Sequence, residues 1–290
     1  MSYRTALSEV LADVVGPVAE ETRIQDRFPR GTVTALGQAG LLGLTVSAEL
    51  GGGGMELREA ADVVTRTARV CPSTAAVLLS HYTAVAVLEA YGCPWVRGEI
   101  AGGRHLASLA LTESESGAAA GGPGVADPLL APRSVATRSG GVVALRGRKR
   151  GVVAAGEADT YVWSSRPLAA PAGLTLWAVP AHASDLFVPA RPGVEGPRGT
   201  ATSTVFADPV LVPAEAMLGT DGAGLDVVLR TVLPWLIELR AAAEPVHPSG
   251  AEPVHPSGAE PLPPADAEPI RPTVTGPANT RHRTDSLAAS

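Results

Sequence analysis

At 290 residues with a 45% apolar fraction, the chain is long enough to bury one large core or two ordinary ones. It carries 32 glycines and 26 prolines but only 4% aromatic residues, so its apolar content is mostly Ala and Val. A net charge of −6 without a basic stripe argues against a nucleic-acid partner, and two cysteines, Cys71 and Cys93, are too few for a disulfide scaffold. They read as buried reduced thiols, at a spacing unlike that of a metal site. Residues 1–21 carry acidic side chains in place of a basic start and an apolar run, so no signal peptide is expected. The most apolar helix candidate, residues 75–90, contains Ser80, His81, Tyr82 and Glu89 and falls short of the ~20 residues of a membrane span. The expectation is a soluble cytoplasmic protein with no membrane partner.

Leu7, Val10, Leu11, Val14, Val15 and Val18 recur at helical spacing, which predicts an amphipathic helix over 4–21 that ends by Phe28-Pro29. A short helix follows from about Thr32. Next comes Gly40-Leu41-Leu42-Gly43, then Glu49-Leu50-Gly51-Gly52-Gly53-Gly54, which taken alone is a flexible turn. Residues 56–70 predict a third helix with Leu57, Ala60, Val63, Val64 and Ala68 along one stripe. Ser73 is placed to cap a fourth helix running to about Tyr91, apolar nearly all round and therefore central. His81 and Tyr82 within it read either as lining for a ligand pocket or as a satisfied polar pair in a helical core. Pro94 opens a short fifth helix ending at Gly102-Gly103.

From Leu106 the period changes. Short β-prone runs at 106–112, 141–146, 151–155, 160–164, 174–179, 185–188, 202–206 and 210–212 alternate with Gly, Pro and Ala clusters, a pattern of a small barrel or sandwich. The Gly/Ala/Pro-rich loop 117–133 reads as mobile. Helical spacing resumes at Leu225 and continues through Leu239, with Pro234 as a kink. Then Ala-Glu-Pro-Val-His-Pro-Ser-Gly occurs at 243–250 and again at 251–258. Dense proline without an apolar pattern predicts a disordered tail, partly polyproline II. Its repeated His247 and His255 lack cysteine companions and are poor metal ligands.

Three motifs and one weaker element between them carry a family resemblance. Leu111-Thr112-Glu113-Ser114-Glu115-Ser116-Gly117-Ala118 resembles the Leu-Thr-Glu-Pro-x-Ala-Gly-Ser-Asp signature of the acyl-CoA dehydrogenase family, with Ser114 for Pro and Ala118-Ala119 for Ser-Asp. Residues 40–54 resemble the family's Gly-Leu-x-Gly-x-x-x-Pro-Glu-x-Gly-Gly-x-Gly. Phe206 to Pro213 and Leu218 to Gly224 resemble its Phe-x-x-Val-x-Val-Pro strand and the glycine turn opening its C-terminal helical domain. Gly147-Arg148-Lys149 and Ala158-Asp159 resemble a Gly-x-Lys strand and an Ala-Asp turn. The resemblance covers about 5–242.

It implies an α+β fold: an N-terminal helical bundle over 1–105 and a small antiparallel β-barrel domain over 106–215. A truncated C-terminal helix over 216–242 and the disordered tail 243–290 follow. It also implies FAD as cofactor and α,β-desaturation of an acyl thioester held on CoA, with flavin monooxygenation and oxidation of carrier-protein-bound acyl groups open on the same fold. By position, Leu109, Leu111, Thr112, Gly151 and Val153 fall where the family contacts flavin, and Ala118 where it contacts substrate. Gly151 and Val153 stand in place of a Trp and a Thr and cannot stack on or hydrogen-bond the ring through their side chains. Glu113 and Glu115 are the only acids of the site stretch, and neither is assigned as catalytic base. Arg146, Arg148, Lys149 and Arg150 read as a phosphate-attracting cluster or as a solvated strand edge. No metal site is expected. The family's remaining helices, with its catalytic Glu and most of its oligomer interface, have no counterpart in this sequence. The primary reading is therefore a flavoprotein complete only with that half, as a homo-oligomer or with a related subunit. A non-enzymatic remnant or structural subunit is the alternative, and a module presenting the proline-rich tail is a third.

Overall fold

The computed structural model describes residues 2–113, 132–189 and 196–244, all within one compact unit, Met1–Val246. The tail beyond 244, His247 and His255, most of the loop 117–133, and Glu115 and Ala118 lie outside the described residues.

The first amphipathic stretch is helical from α1 (Tyr3–Val10) to α2 (Gly16–Gln25), with one π turn at Leu11–Val15 between them. It ends at Asp26, which adopts a left-handed conformation with φ 53°. Helices α3 (Arg30–Gln38), α4 (Leu57–Ala68), α5 (Pro72–Tyr91) and α6 (Pro94–Ala101) follow in the expected order. Glu56 and Glu59 close a capping box at the start of α4. Ser73 does not cap α5. Cys71 holds that position and Pro72 opens the helix, while the Ser73 hydroxyl donates to the Arg198 carbonyl at 2.7 Å. At 20 residues α5 is longer than the sequence suggests and is apolar enough to cross a membrane. Yet 72% of its most apolar 18-residue stretch is buried inside the protein, as befits a central core helix. Cys71 is buried, whereas Cys93 is exposed, contrary to expectation.

The glycine stretch 40–54 is a folded turn. The Gly53 and Gly54 amides donate to Gly43 and Val46, and the Met55 amide to Leu44. Gly43 packs against the end of α6, where a Cβ would stand 2.6 Å from the Ala101 carbonyl oxygen and 2.8 Å from that of Ile100. Backbone on both sides leaves nothing to give way. Gly43→Ala is therefore expected to cost about 1–3 kcal/mol in urea unfolding, whereas Gly98→Ala, with open space around the added methyl, costs nothing by that route.

Strands β1 (Ala107–Ala110), β4 (Thr160–Ser165), β5 (Thr175–Pro180) and β8 (Met217–Leu218) form one sheet in the order β1-β4-β5-β8. Strands β2 (Val135–Ser139), β3 (Val142–Val152), β7 (Ser203–Pro213) and β6 (Leu186–Phe187) form the other, in the order β2-β3-β7-β6. The α+β class holds, but the β-region is two open sheets, not a closed antiparallel barrel, and β1 runs parallel to β4. Two pairs of expected short strands are single long ones. Bulges between Leu145 and Gly147 and between Lys149 and Val152 interrupt the alternation of β3 without ending it.

The core is shared. One cluster joins Leu7, Leu36, Val63 and Leu78 of the helices to Trp163, Trp177 and Val205 of the sheets. A second joins Val85 and Leu88 of α5 to Val162, Leu176 and Val228. Beyond β8 the chain enters α7 (Gly224–Val227), a π turn at Val228–Val232, and α8 (Leu233–Ala243). Pro234 sits just after that π turn, in helical backbone continuous from Gly224; it has no amide to give to the ladder, and the π turn is the irregularity found where the sequence predicts a kink. Leu229, Leu233 and Ile237 lie four residues apart along this segment, and all three are exposed.

Candidate functional site

Strand β1 is the backbone of the site, and hydroxyl groups hold it in place. Ser108 Oγ donates to the Val153 carbonyl at 2.6 Å and receives the Ser80 hydroxyl at 2.9 Å. Ser80 Oγ in turn accepts the Leu109 amide at 3.3 Å. One turn of α5 is thereby tied to β1, and β1 to the end of β3. At the far end of β1 the Arg150 amide donates to the Thr112 carbonyl at 2.8 Å. These bonds bring Leu109, Leu111 and Thr112 beside Gly151 and Val153, two stretches nearly forty residues apart in sequence.

The five side chains meet different surroundings. Leu109 and Val153 are half-buried and Leu111 is buried, while Thr112 is exposed and its hydroxyl has no partner among the described residues. Gly151 has φ +60°, and no atom of the described residues lies within 4 Å of where its Cβ would stand. A tryptophan there would be strained by the left-handed backbone.

Glu113 has a structural role, not that of a free acid. Its carboxylate accepts from Lys149 Nζ at 2.5 Å, from the amides of Arg133 and Ser134, and from the Ser134 hydroxyl. Lys149 is fully buried, also donates to Ser164 Oγ at 2.8 Å, and lies 5.2 Å from the centre of the Trp163 ring. Burial pulls the Lys149 ammonium down to about 8 against the pull of Glu113. Burial also opposes ionisation of Glu113, but Lys149 and the three donors outweigh it and hold the carboxyl below its usual value. Both groups are charged at neutral pH. Strand β3 is interior to its sheet, so the basic run is not a strand edge: Lys149 points into the core, while Arg146 and Arg148 point out.

His81 and Tyr82 are a satisfied core pair. The Ala107 amide donates to His81 Nδ1 at 3.1 Å, which leaves Nε2 to donate to the Leu42 carbonyl at 2.9 Å. The Tyr82 hydroxyl donates to the Leu41 carbonyl at 2.7 Å. Two further carboxylates act as clamps that sequence reasoning missed. Asp159, in the Ala-Asp turn, accepts the Leu106 amide at the start of β1. Asp221, in the glycine turn, accepts the amides of Leu168, Ala169 and Ala170 and the Thr175 hydroxyl. Burial would raise its carboxyl, but these four donors hold it down to about 2. The turn residue types were legible, but the loops they grip were not.

A helical layer over two sheets, with β1 threaded between α5 and β4, defines the class. Residues 2–100 match the acyl-CoA dehydrogenase N-terminal domain. The short-chain-specific acyl-CoA dehydrogenase of Clostridium acetobutylicum is 25% identical over 241 residues, covering 79% of this chain and 60% of the relative. An acyl-CoA dehydrogenase of Bacillus subtilis is 26% identical over 240 residues, with the same coverage. The solved structure of butyryl-CoA dehydrogenase from Megasphaera elsdenii shares the fold at a TM-score of 0.72 and 19% identity, over 83% of this chain and 63% of that one. The chain is similar to acyl-CoA dehydrogenases over about 79% of its length, and its first hundred residues match that family's N-terminal domain. It spans about 60% of the length of these two curated relatives.

Proposed function

We propose that the chain is an acyl-CoA dehydrogenase-like flavoprotein, an oxidoreductase acting on the CH–CH bond of an acyl thioester on CoA or a carrier protein. The observation that carries this reading is the junction of Leu109–Thr112 with Gly151–Val153, held by the Ser108–Val153 and Arg150–Thr112 hydrogen bonds. The residues fit one edge of a flavin. Thr112 offers a hydroxyl without a partner among the described residues, and Gly151 adds no side chain that would stand in the way of a flat ring. Val153 adds apolar contact only. When bound, FAD would supply the redox chemistry as hydride acceptor. The chain's own part is to position that ring and to exclude water along Leu109 and Leu111.

Turnover requires groups supplied from outside the described residues, because Glu113 is committed to Lys149. The exposed stripe Leu229, Leu233, Ile237 supports assembly with another copy or a related subunit.

The test is the visible absorbance of the purified chain after loading with FAD and removing the excess. Retained flavin is expected, with affinity about fivefold to tenfold lower in Thr112→Val, the worth of one hydrogen bond. No retained flavin in the unaltered chain, or equal retention by Thr112→Val, would overturn the reading.

A further inference from the structure

We propose that the outer face of the second sheet binds a nucleoside phosphate, its base laid against Phe187 and its phosphate oxygens held by Arg133 and Arg148. A cleft of about 330 Å3 opens there, lined by Arg133, Arg146, Arg148, Phe187, Phe206 and Asp208 among others. Its charge is unbalanced. Glu113, at the inner wall, is neutralised by Lys149, and Asp208 stands 3.4 Å from Arg146. Arg133 and Arg148 have no carboxylate partner among the described residues, although the whole chain carries −6. Planar guanidiniums without carboxylates suit phosphate oxygens, which they bind in paired hydrogen bonds.

The aromatic half of the site is built into the sheet register. Arg148 of β3 stands opposite Phe206 of β7, and Phe206 opposite Phe187 of β6, so one row crosses the face as cation, ring, ring. The two rings are stacked, with centroids 4.9 Å apart and planes 5° apart. Phe187 is 51% exposed, at the open end of that stack. A third flat ring extends the pair in the offset geometry that aromatic groups prefer. Inorganic phosphate would use only the arginines and adenosine only the rings, so the geometry selects a ligand carrying both.

Two sources share this chemistry: a free nucleotide, and the adenosine diphosphate handle of CoA. The proposal does not rest on the flavin reading, because the test uses flavin-free protein and Thr112→Val should leave its result unchanged. Calorimetric titration of the full chain with ADP is expected to saturate, about tenfold tighter than inorganic phosphate or adenosine. Arg148→Gln and Phe187→Ala should each weaken ADP about fivefold or more with an unchanged thermal midpoint. Arg66→Gln, on α4, should not. CoA binding at least as tightly as ADP assigns the cleft to the thioester handle, and exclusion of CoA assigns it to a free nucleotide. Failure to saturate, phosphate equal to ADP, or unaltered binding in Arg148→Gln would overturn the proposal.

Discussion

Glu113→Ala is expected to destabilise the fold by about 3–5 kcal/mol at neutral pH, among the largest losses available to a single substitution here. It leaves Lys149 fully buried with Ser164 as its one remaining hydrogen-bond partner among those described. An ammonium in that position escapes by losing its proton, and this limits the cost. Deprotonating a lysine at pH 7 against an unfolded value near 10.5 costs about 5 kcal/mol. The sign of the pH dependence follows. With the folded value depressed, the unfolded state binds more protons, so the variant regains stability as pH rises toward 10.5. Lys149→Met should cost less, because Met fills similar volume and Glu113 keeps three donors from Arg133 and Ser134. Urea unfolding at pH 7 and pH 10 measures both. Equal losses, or a Glu113→Ala variant that does not recover at high pH, would mean that the pair is not what holds β1 to β3.

The helices, their order and the family resemblance were legible because apolar spacing and the glycine motifs are local signals. Gly43 and Gly53 are read from sequence as turn residues, and the structure gives the reason in the backbone that surrounds them. What escaped was long-range or masked by composition. Val135–Ser139 forms β2 yet is mostly exposed, so it has no apolar alternation to reveal it. Lys149 looked like one more cation in a basic run. The clue was parity, since it lies one residue from Arg148 and must face the other side of the strand. The site was half legible. Thr112 and Glu113 stand in a recognisable signature, but the hydroxyl bridge from Ser80 through Ser108 to Val153 depends on register between elements that no local pattern encodes. The same limit hid Phe187 beside Phe206, a pair made by β6 meeting β7.

Acidification should unfold this protein through His81 before most of its carboxylates are protonated. The ring is fully buried in α5, and its two nitrogens have fixed and opposite duties. Nδ1 accepts from Ala107 at the start of β1, and Nε2 donates to Leu42 in the glycine-rich turn. A second proton would set Nδ1–H against the Ala107 amide hydrogen while placing a charge in the core. Burial is the main cause, with His105 adding repulsion, and together they carry the folded value from 6.5 down to about 4. The unfolded state therefore binds more protons between those values, and stability present above pH 6.5 is lost as pH falls toward 4. The loss from this one group is about 3 kcal/mol, a large share of a typical domain's stability. His105, also lowered by burial, contributes in the same direction. Urea unfolding of the wild type from pH 7 to pH 4 should show that slope. His81→Gln keeps a donor and an acceptor without a titrating ring, so it should be less stable at pH 7 yet flatter with pH. A variant as steep as the wild type would place the acid sensitivity elsewhere. A flattened one would show that a single neutral imidazole couples α5, the glycine-rich turn and β1, the strand on which the proposed flavin edge depends.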